Sequence, residues 1–400
     1  MLFKPADRIN RIQPSATLAM TAKAAELKRK NKPVYNMSVG EPDFSTPKHI
    51  QKAGEDAIRN GHTKYTPGSG TFELKQAICN KIKRDNSLDY NIENIIVSCG
   101  GKHSLYTACQ ALFQKPDEVI IFTPYWVSFP DFVAVTGAKP IFVETESKKQ
   151  FEPNFIDLEK KINSNTKGLI INSPSNPTGG VWSNEAILKV IELCKDRDIW
   201  IFSDECYEQL VYDRKFNSIA SLVDDKQKIL TFQSCSKTYA MTGWRIGYTV
   251  GNKDVIKAMS KLQGQSTSCP NSIAQYAAIE ALDGPQECVL EMKKTFQKRR
   301  DHVLELIEKL SNVQVEIPQG AFYVFPDFSY YLGATNKSNN QTINSADDLA
   351  LYFLEQTGVV TVSGDSFGAP GYIRISYATS EKILTDAFLL IEKSLSKLSF

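Results

Sequence analysis

Residues 233–247 read QSCSKTYAMTGWRIG. A strand-like run, KILTF at 228–232, delivers the chain into a turn containing Ser and Gly with Lys237 at its apex, and a second strand, RIGYTV, opens with Arg245. A lysine held between two strand ends is partly desolvated and fixed in place, the conditions under which an amine becomes a nucleophile or forms a Schiff base. Most lysines beside Ser and Gly are solvated loop residues, so the run does not make a site by itself.

The flanking sequence sets the architecture. From Asn94 onward IIVSCGG, EVIIFTP, KPIFVET, KGLIIN, WIFSDE and KILTF read as strands. Helical segments are expected at Lys102 to Phe113 and Asn184 to Asp198. Short runs rich in β-branched residues and bounded by helices are the pattern of a sheet buried on both faces, so the centre is expected to be a mostly parallel α/β sheet. A break at Asp283-Gly284-Pro285 precedes a long charged helix, near Gln286 to Leu310, after which GAFYVFPDF, GVVTVSG and YIRISYA follow an α+β rhythm. The expected division is an N-terminal segment, 1–45, packing on the small domain; a large domain, 46–290; and a small C-terminal domain, 291–400.

A chain of 400 residues exceeds the usual single core. Its apolar fraction of 42%, charged fraction of 23% and net charge of +2 carry no basic block that would track a phosphate backbone. Nucleic acid is therefore not an expected partner. No run of about 18 residues is free of charge, so no membrane span is expected, and the expected location is cytoplasmic. The eight cysteines form no CxxC pair and no Cys/His cluster, which reads as reduced, mostly buried thiols and no metal.

Ligands of open α/β sheets sit at the carboxyl ends of the strands, and polar residues gather there. Ser98-Cys99-Gly100-Gly101-Lys102 opens a helix whose free N–H groups suit an anion, or is a plain helix start. Asn176 in Ser173-Pro-Ser-Asn-Pro-Thr-Gly-Gly presents an amide, or is a plain Asn-Pro turn. Asp204 and Glu205 are adjacent acids at a buried strand end, where a carboxylate needs a cation or a protonated ring nitrogen; Tyr207 stands three residues on. A Lys, an Asp with a Tyr, an Asn, an Arg and a helix-end anion site are together what pyridoxal phosphate requires.

In order and spacing, SNPTGG, SDECYEQL, SKTYAMTGWRIGY and YIRISYA resemble the class I aminotransferases, pyridoxal-phosphate enzymes of fold type I. VGEPDFSTP at 39–47 and PYWVSFPD at 124–131 narrow the resemblance to the I-gamma subgroup of bacterial aspartate aminotransferases. The resemblance implies a large domain with a mostly parallel seven-stranded sheet covered by helices, plus a smaller α+β domain. It implies that Lys237 is the Schiff-base lysine and proton carrier, that Asp204 partners the pyridinium nitrogen, and that Tyr207 and Asn176 donate to the ring oxygen. Ser234, Ser236, Arg245 and the backbone of Gly101 and Lys102 match the phosphate site, and Trp126 matches the aromatic that packs on the ring. Tyr65 is similar to the tyrosine that reaches the phosphate of the neighbouring subunit, which implies a homodimer with shared sites.

On the substrate side the resemblance implies that Arg374 grips the α-carboxylate, helped by Gly40 and Asn176, while Lys102, Ser15 and Thr17 meet a distal carboxylate. The implied reaction is ping-pong transfer of the amino group of L-aspartate to 2-oxoglutarate. Members that use prephenate tend to carry a lysine where Gln13 stands, which counts mildly against that substrate. The alternatives are an aromatic amino acid or prephenate aminotransferase, a lyase of the same fold, and a non-enzymatic ligand sensor. The sensor usually brings an N-terminal winged-helix domain, for which residues 1–30 are too short.

Overall fold

The structure, a computed structural model, describes residues 4–12, 16–29, 33–337 and 340–400. Seven strands build the large sheet: β1 (Ile95–Ser98), β2 (Glu118–Thr123), β3 (Lys139–Glu146), β4 (Thr166–Asn172), β5 (Trp200–Asp204), β6 (Ile229–Ser234) and β7 (Gly247–Val250). Their spatial order is β1-β7-β6-β5-β4-β2-β3, and a two-residue strand, Glu152–Pro153, adds an eighth at the β3 edge. Neighbours run parallel except β7, which is antiparallel to both β1 and β6, and the short eighth strand, which is antiparallel to β3. Every residue of β1, β6 and β7 is buried, as a sheet covered on both faces requires. One face packs Leu105, Phe129, Phe132 and Met259 against Ile121, Phe202 and Phe232; the other packs Ile187, Val190 and Trp182 against Ile120, Leu169 and Ile201.

Three boundaries differ from the sequence expectation for local reasons. The strand expected to open at Arg245 begins at Gly247, because Arg245 takes a left-handed backbone, φ +59°, that closes the preceding turn. Lys237 lies not at a turn apex but in a short helix, Cys235–Thr238, whose N-terminus is capped by the Ser234 side chain accepting from the Ser236 N–H. The helix expected to reach Asp198 stops at Cys194, where Lys195 turns extended and Asp196 adopts φ +58°.

Helix Glu287–Ile307 spans two cores. Its Val289 packs with Ile78, Tyr248 and Ala278, whereas Met292, Phe296 and Val303 pack with Phe322, Tyr377 and Phe388. The C-terminal region supplies a three-stranded antiparallel sheet, Val362–Ser363 and Tyr323–Val324 flanking Ile373–Ser376. The N-terminal segment joins it: Tyr35–Asn36 pairs parallel with Val359–Val360, and the Met37 carbonyl accepts from the Ser376 N–H. Among the described residues no helix is long and apolar enough to cross a membrane, and all eight cysteines are free thiols.

Phe296 is fully buried and touches the rings of Phe44, Phe322 and Tyr377. Phe296→Ala is expected to cost about 3–5 kcal/mol of stability, read as a lower denaturant midpoint against the parent protein.

Candidate active site

The carboxyl ends of β4, β5 and β6 open onto one cavity of about 320 Å³. Gly40, Gly101, Lys102, Trp126, Asn176, Asp204, Tyr207, Ser234, Ser236, Lys237, Arg245 and Arg374 all line it. Residues from the N-terminal segment, the large sheet and the C-terminal sheet thus meet at one point.

Asp204 ends β5 and is 6% exposed. Among the described residues its carboxylate accepts one hydrogen bond, from the Cys206 N–H at 3.2 Å. Burial pushes its pKa up to about 7, opposed by that N–H and by Lys237 and reinforced by Glu205. Its backbone carbonyl accepts from Asn172, whose side-chain oxygen in turn accepts the Asn176 N–H at 2.8 Å. Asn172 thereby fixes two strand ends against each other.

The Lys237 amine donates to the Gly40 carbonyl and stands 5.9 Å from the centre of the Phe322 ring. Desolvation lowers its pKa, with Arg374 and Arg245 adding to the effect against Cys206 and Glu41. Tyr207 shares a hydrogen bond of 2.9 Å with Tyr323, and burial holds its phenol well above the ordinary value.

Arg374 is 2% exposed. It donates to Asn176 Oδ1 at 3.0 Å and to the Ser38 carbonyl at 2.6 Å, and its Nε has no partner among the described residues. The guanidinium lies 4.7 Å from the Tyr323 ring centre, and burial lowers its pKa. Lys102 carries its ammonium 4.9 Å over the Trp126 ring, with a pKa lowered by burial and then by Arg245.

Helix Gly101–Leu112 starts at the cavity with no side-chain cap, so its first N–H groups are available to an anion. Two glycines permit this approach. A Cβ on Gly247 would lie 2.2 Å from the Gly101 nitrogen, and one on Gly100, at φ +92°, would lie 2.4 Å from Arg245 Nη2. Arg245 itself donates to the Thr242 carbonyl at 2.8 Å, and Ser234 Oγ donates to Ser236 Oγ at 2.8 Å.

Tyr65 does not line this cavity; it is 88% exposed on the surface of the chain. Ser15 lies outside the described residues, as do Gln13 and the side chain of Thr17. Conversely, Tyr323, Asn172, Cys206 and Gln233 line the cavity without having been singled out from the sequence. Tyr323 sits inside the apolar run GAFYVF, where nothing distinguishes a cavity-facing phenol from a core residue.

The profile of the family "Aminotransferase class I and II" matches residues 32–388. The chain belongs to this family. A probable aspartate/prephenate aminotransferase of Rhizobium leguminosarum bv. phaseoli is 44% identical over 97% of this aminotransferase and 98% of the relative. The aspartate aminotransferase of Bacillus subtilis is 42% identical over 99% and 100%. Among solved structures, the aspartate aminotransferase of Rhizobium meliloti aligns with a TM-score of 0.95 at 41% identity, covering 99% of this chain and 100% of that one. The Thermus thermophilus aspartate aminotransferase with maleate aligns at 0.92 and 38% identity, covering 98% and 100%. The fold is that of these enzymes, a type I aminotransferase with a mostly parallel large sheet.

The carboxyl of Asp204 binds its proton more tightly in the folded ligand-free aminotransferase than in the unfolded chain. Its contribution to stability is therefore present at low pH and is lost as the pH rises from about 4 through about 7. Glu205 is shifted the same way, to about 7. Asp204→Asn should remove about half of the resulting decline in stability, measured by chemical unfolding of ligand-free protein at pH 4.5 to 7.5.

Proposed function

We propose that this aminotransferase uses pyridoxal phosphate to move the amino group of L-aspartate to 2-oxoglutarate. The observation that carries the reading is the meeting, in one cavity, of a desolvated lysine amine with a buried, nearly unpartnered carboxylate. The donor set fits the cofactor. Lys237 suits an aldehyde, Asp204 a protonated ring nitrogen, and Tyr207 with Asn176 a ring oxygen. Trp126 suits the ring face. The uncapped helix start at Gly101 and Lys102, together with Ser234, Ser236 and Arg245, suits a phosphate.

Bound there, the group supplies an aldehyde to carry nitrogen and a ring that withdraws electrons from the adjacent C–H bond. The chain supplies the rest. A Lys237 amine of lowered pKa is free to bond and to move a proton at physiological pH. Asp204, kept from water, has its charge offset only by a positive partner, so it favours a protonated ring nitrogen. Arg374, whose Nε donor has no partner among the described residues, suits the α-carboxylate of the amino acid, with Asn176 and Gly40 at its side.

The substrate class is supported by charge. Lys102, Arg245 and Arg374 line the cavity beside Lys237, more cations than a phosphate and one carboxylate need, so a second carboxylate is well received by Lys102. The names of the relatives agree, and the Thermus enzyme's ligand, maleate, is itself a dicarboxylate. Prephenate is the second reading, favoured by the name of the Rhizobium leguminosarum relative.

The same reading takes the enzyme as a cytoplasmic homodimer, for which free thiols and the exposure of Tyr65 on the surface of the chain speak. It divides the chain at 1–45, 46–290 and 291–400, with one helix, Glu287–Ile307, crossing from one core to the other.

Lys237→Ala is expected to lower turnover by at least about 10⁴-fold while still retaining cofactor non-covalently; near-normal turnover would remove Lys237 from the reaction. Lys102→Ala should lower kcat/KM for L-aspartate and 2-oxoglutarate by about 10- to 100-fold but hardly affect a monocarboxylic donor. Equal losses for both donor classes would take Lys102 out of substrate selection.

A further inference from the structure

Behind the cavity floor lies an ionic cluster that the transamination reading does not use. Lys81, on helix Phe72–Asn86, is 2% exposed among Ala77, Ile78 and Ile82. Its ammonium donates to Asn86 Oδ1 at 3.0 Å, to Gln233 Oε1 at 2.9 Å and to Glu208 Oε1, which uses all three protons. The other Glu208 oxygen accepts from Asn86 at 2.6 Å and Gln233 at 2.9 Å. The Gln233 amide also donates to Glu205 at 3.2 Å, and its oxygen accepts from the Tyr248 hydroxyl at 2.9 Å. Glu205 is fully buried and takes three further donors, Ser203 and Ser218 at 2.8 Å each and the Ile219 N–H at 3.1 Å.

Buried ionic groups of this kind are seldom worth their desolvation as stabilisers, since apolar replacements of similar volume often do as well or better. Their placement here is more telling. Glu205 follows Asp204, Glu208 follows Tyr207, and Gln233 precedes Ser234 while itself lining the cavity. One ammonium therefore ties together the chain segments that carry three proposed cofactor contacts. With Glu205 and Glu208 both ionised, two carboxylates against one ammonium leave a single negative charge behind Asp204; burial raises the Glu205 pKa to about 7, so that charge is full only above this pH. The other ionisable groups around the cluster are Asp85, 4.0 Å from Lys81 and paired with Arg84, then Tyr239, Tyr248 and Cys235 on the Glu208 side, Tyr90 near Glu205, and Cys206 and Lys237 on the cavity side.

We propose that Lys81, Glu208, Gln233 and Glu205 form a positioning cluster that locks the Asp204–Tyr207 turn to Ser234 and sets the negative charge backing the cofactor. The inference rests on the pyridoxal-phosphate reading above. Charge held behind Asp204 favours the protonated state of a cofactor bonded to Lys237, so the size of that charge tunes the pH at which the cofactor gives up its proton.

The test is a pH titration of the visible absorption band of the cofactor-loaded enzyme. Glu208→Gln keeps the shape and removes the excess negative charge, so the midpoint should fall by about 0.5 pH unit or more. Lys81→Met adds one uncompensated negative charge, so the midpoint should rise by about as much. The double variant restores the parent charge and should titrate within about 0.2 pH unit of the parent. A cluster with a purely structural role would leave both single-variant midpoints in place or move them in the same direction, and either result overturns the proposal. Should Lys81→Met not fold, Glu208→Gln decides alone: a downward shift supports the cluster and an unmoved midpoint refutes it. A parent enzyme that shows no titrating band after incubation with pyridoxal phosphate would contradict the cofactor reading instead.

Discussion

Everything at this site depends on keeping two opposite charges out of water on the same cavity wall. Asp204 is buried with one N–H donor, and Lys237 is desolvated beneath the Gly40 carbonyl. Neither arrangement favours the apoprotein, because a charged group without solvent or a close partner shifts toward its neutral form. A molecule that offers a protonated nitrogen to one and an aldehyde to the other relieves both. The cost of burying these two groups thus favours binding of such a molecule.

The sheet makes that geometry possible. Parallel β4, β5 and β6 end side by side, so Asn172, Asp204 and Ser234 fall on neighbouring strands at one edge, and because β7 runs antiparallel it starts at that same edge, with Arg245 just before it. Gly247, opposite Ser98 across the β1–β7 pair, leaves room for the start of helix Gly101–Leu112 to come down on the sheet end. The N-terminal and C-terminal segments close the cavity from the other side, with Gly40 and Arg374 brought together through the Ser38 carbonyl.

Much of this was legible in the amino-acid sequence, for a definite reason. Residues such as Lys237, Asp204 and Asn176 follow short β-branched runs and Arg245 precedes one, so a reader who finds the strands has found the edge at which their side chains gather. Fold class and strand order of appearance came through on the same signal. What stayed hidden depends on contacts distant in the chain. Lys81 and Glu208 are 127 residues apart, and a lysine within an amphipathic helix looks solvated until the packing is known. Tyr323 and Asn172 sit in apolar runs whose facing cannot be phased from pattern alone. Arg245 was expected to open a strand because RIGYTV alternates, yet its left-handed backbone ends a turn instead.

The most direct test of the central claim is chemical. The purified protein is incubated with pyridoxal phosphate, reduced with borohydride and digested, and the labelled peptide is sequenced by mass spectrometry. The account requires a single pyridoxyl label, on the Lys237 side chain within SCSKTYAMTGWR. A label on another lysine, or no covalent label from a protein that nevertheless transfers amino groups, would contradict it.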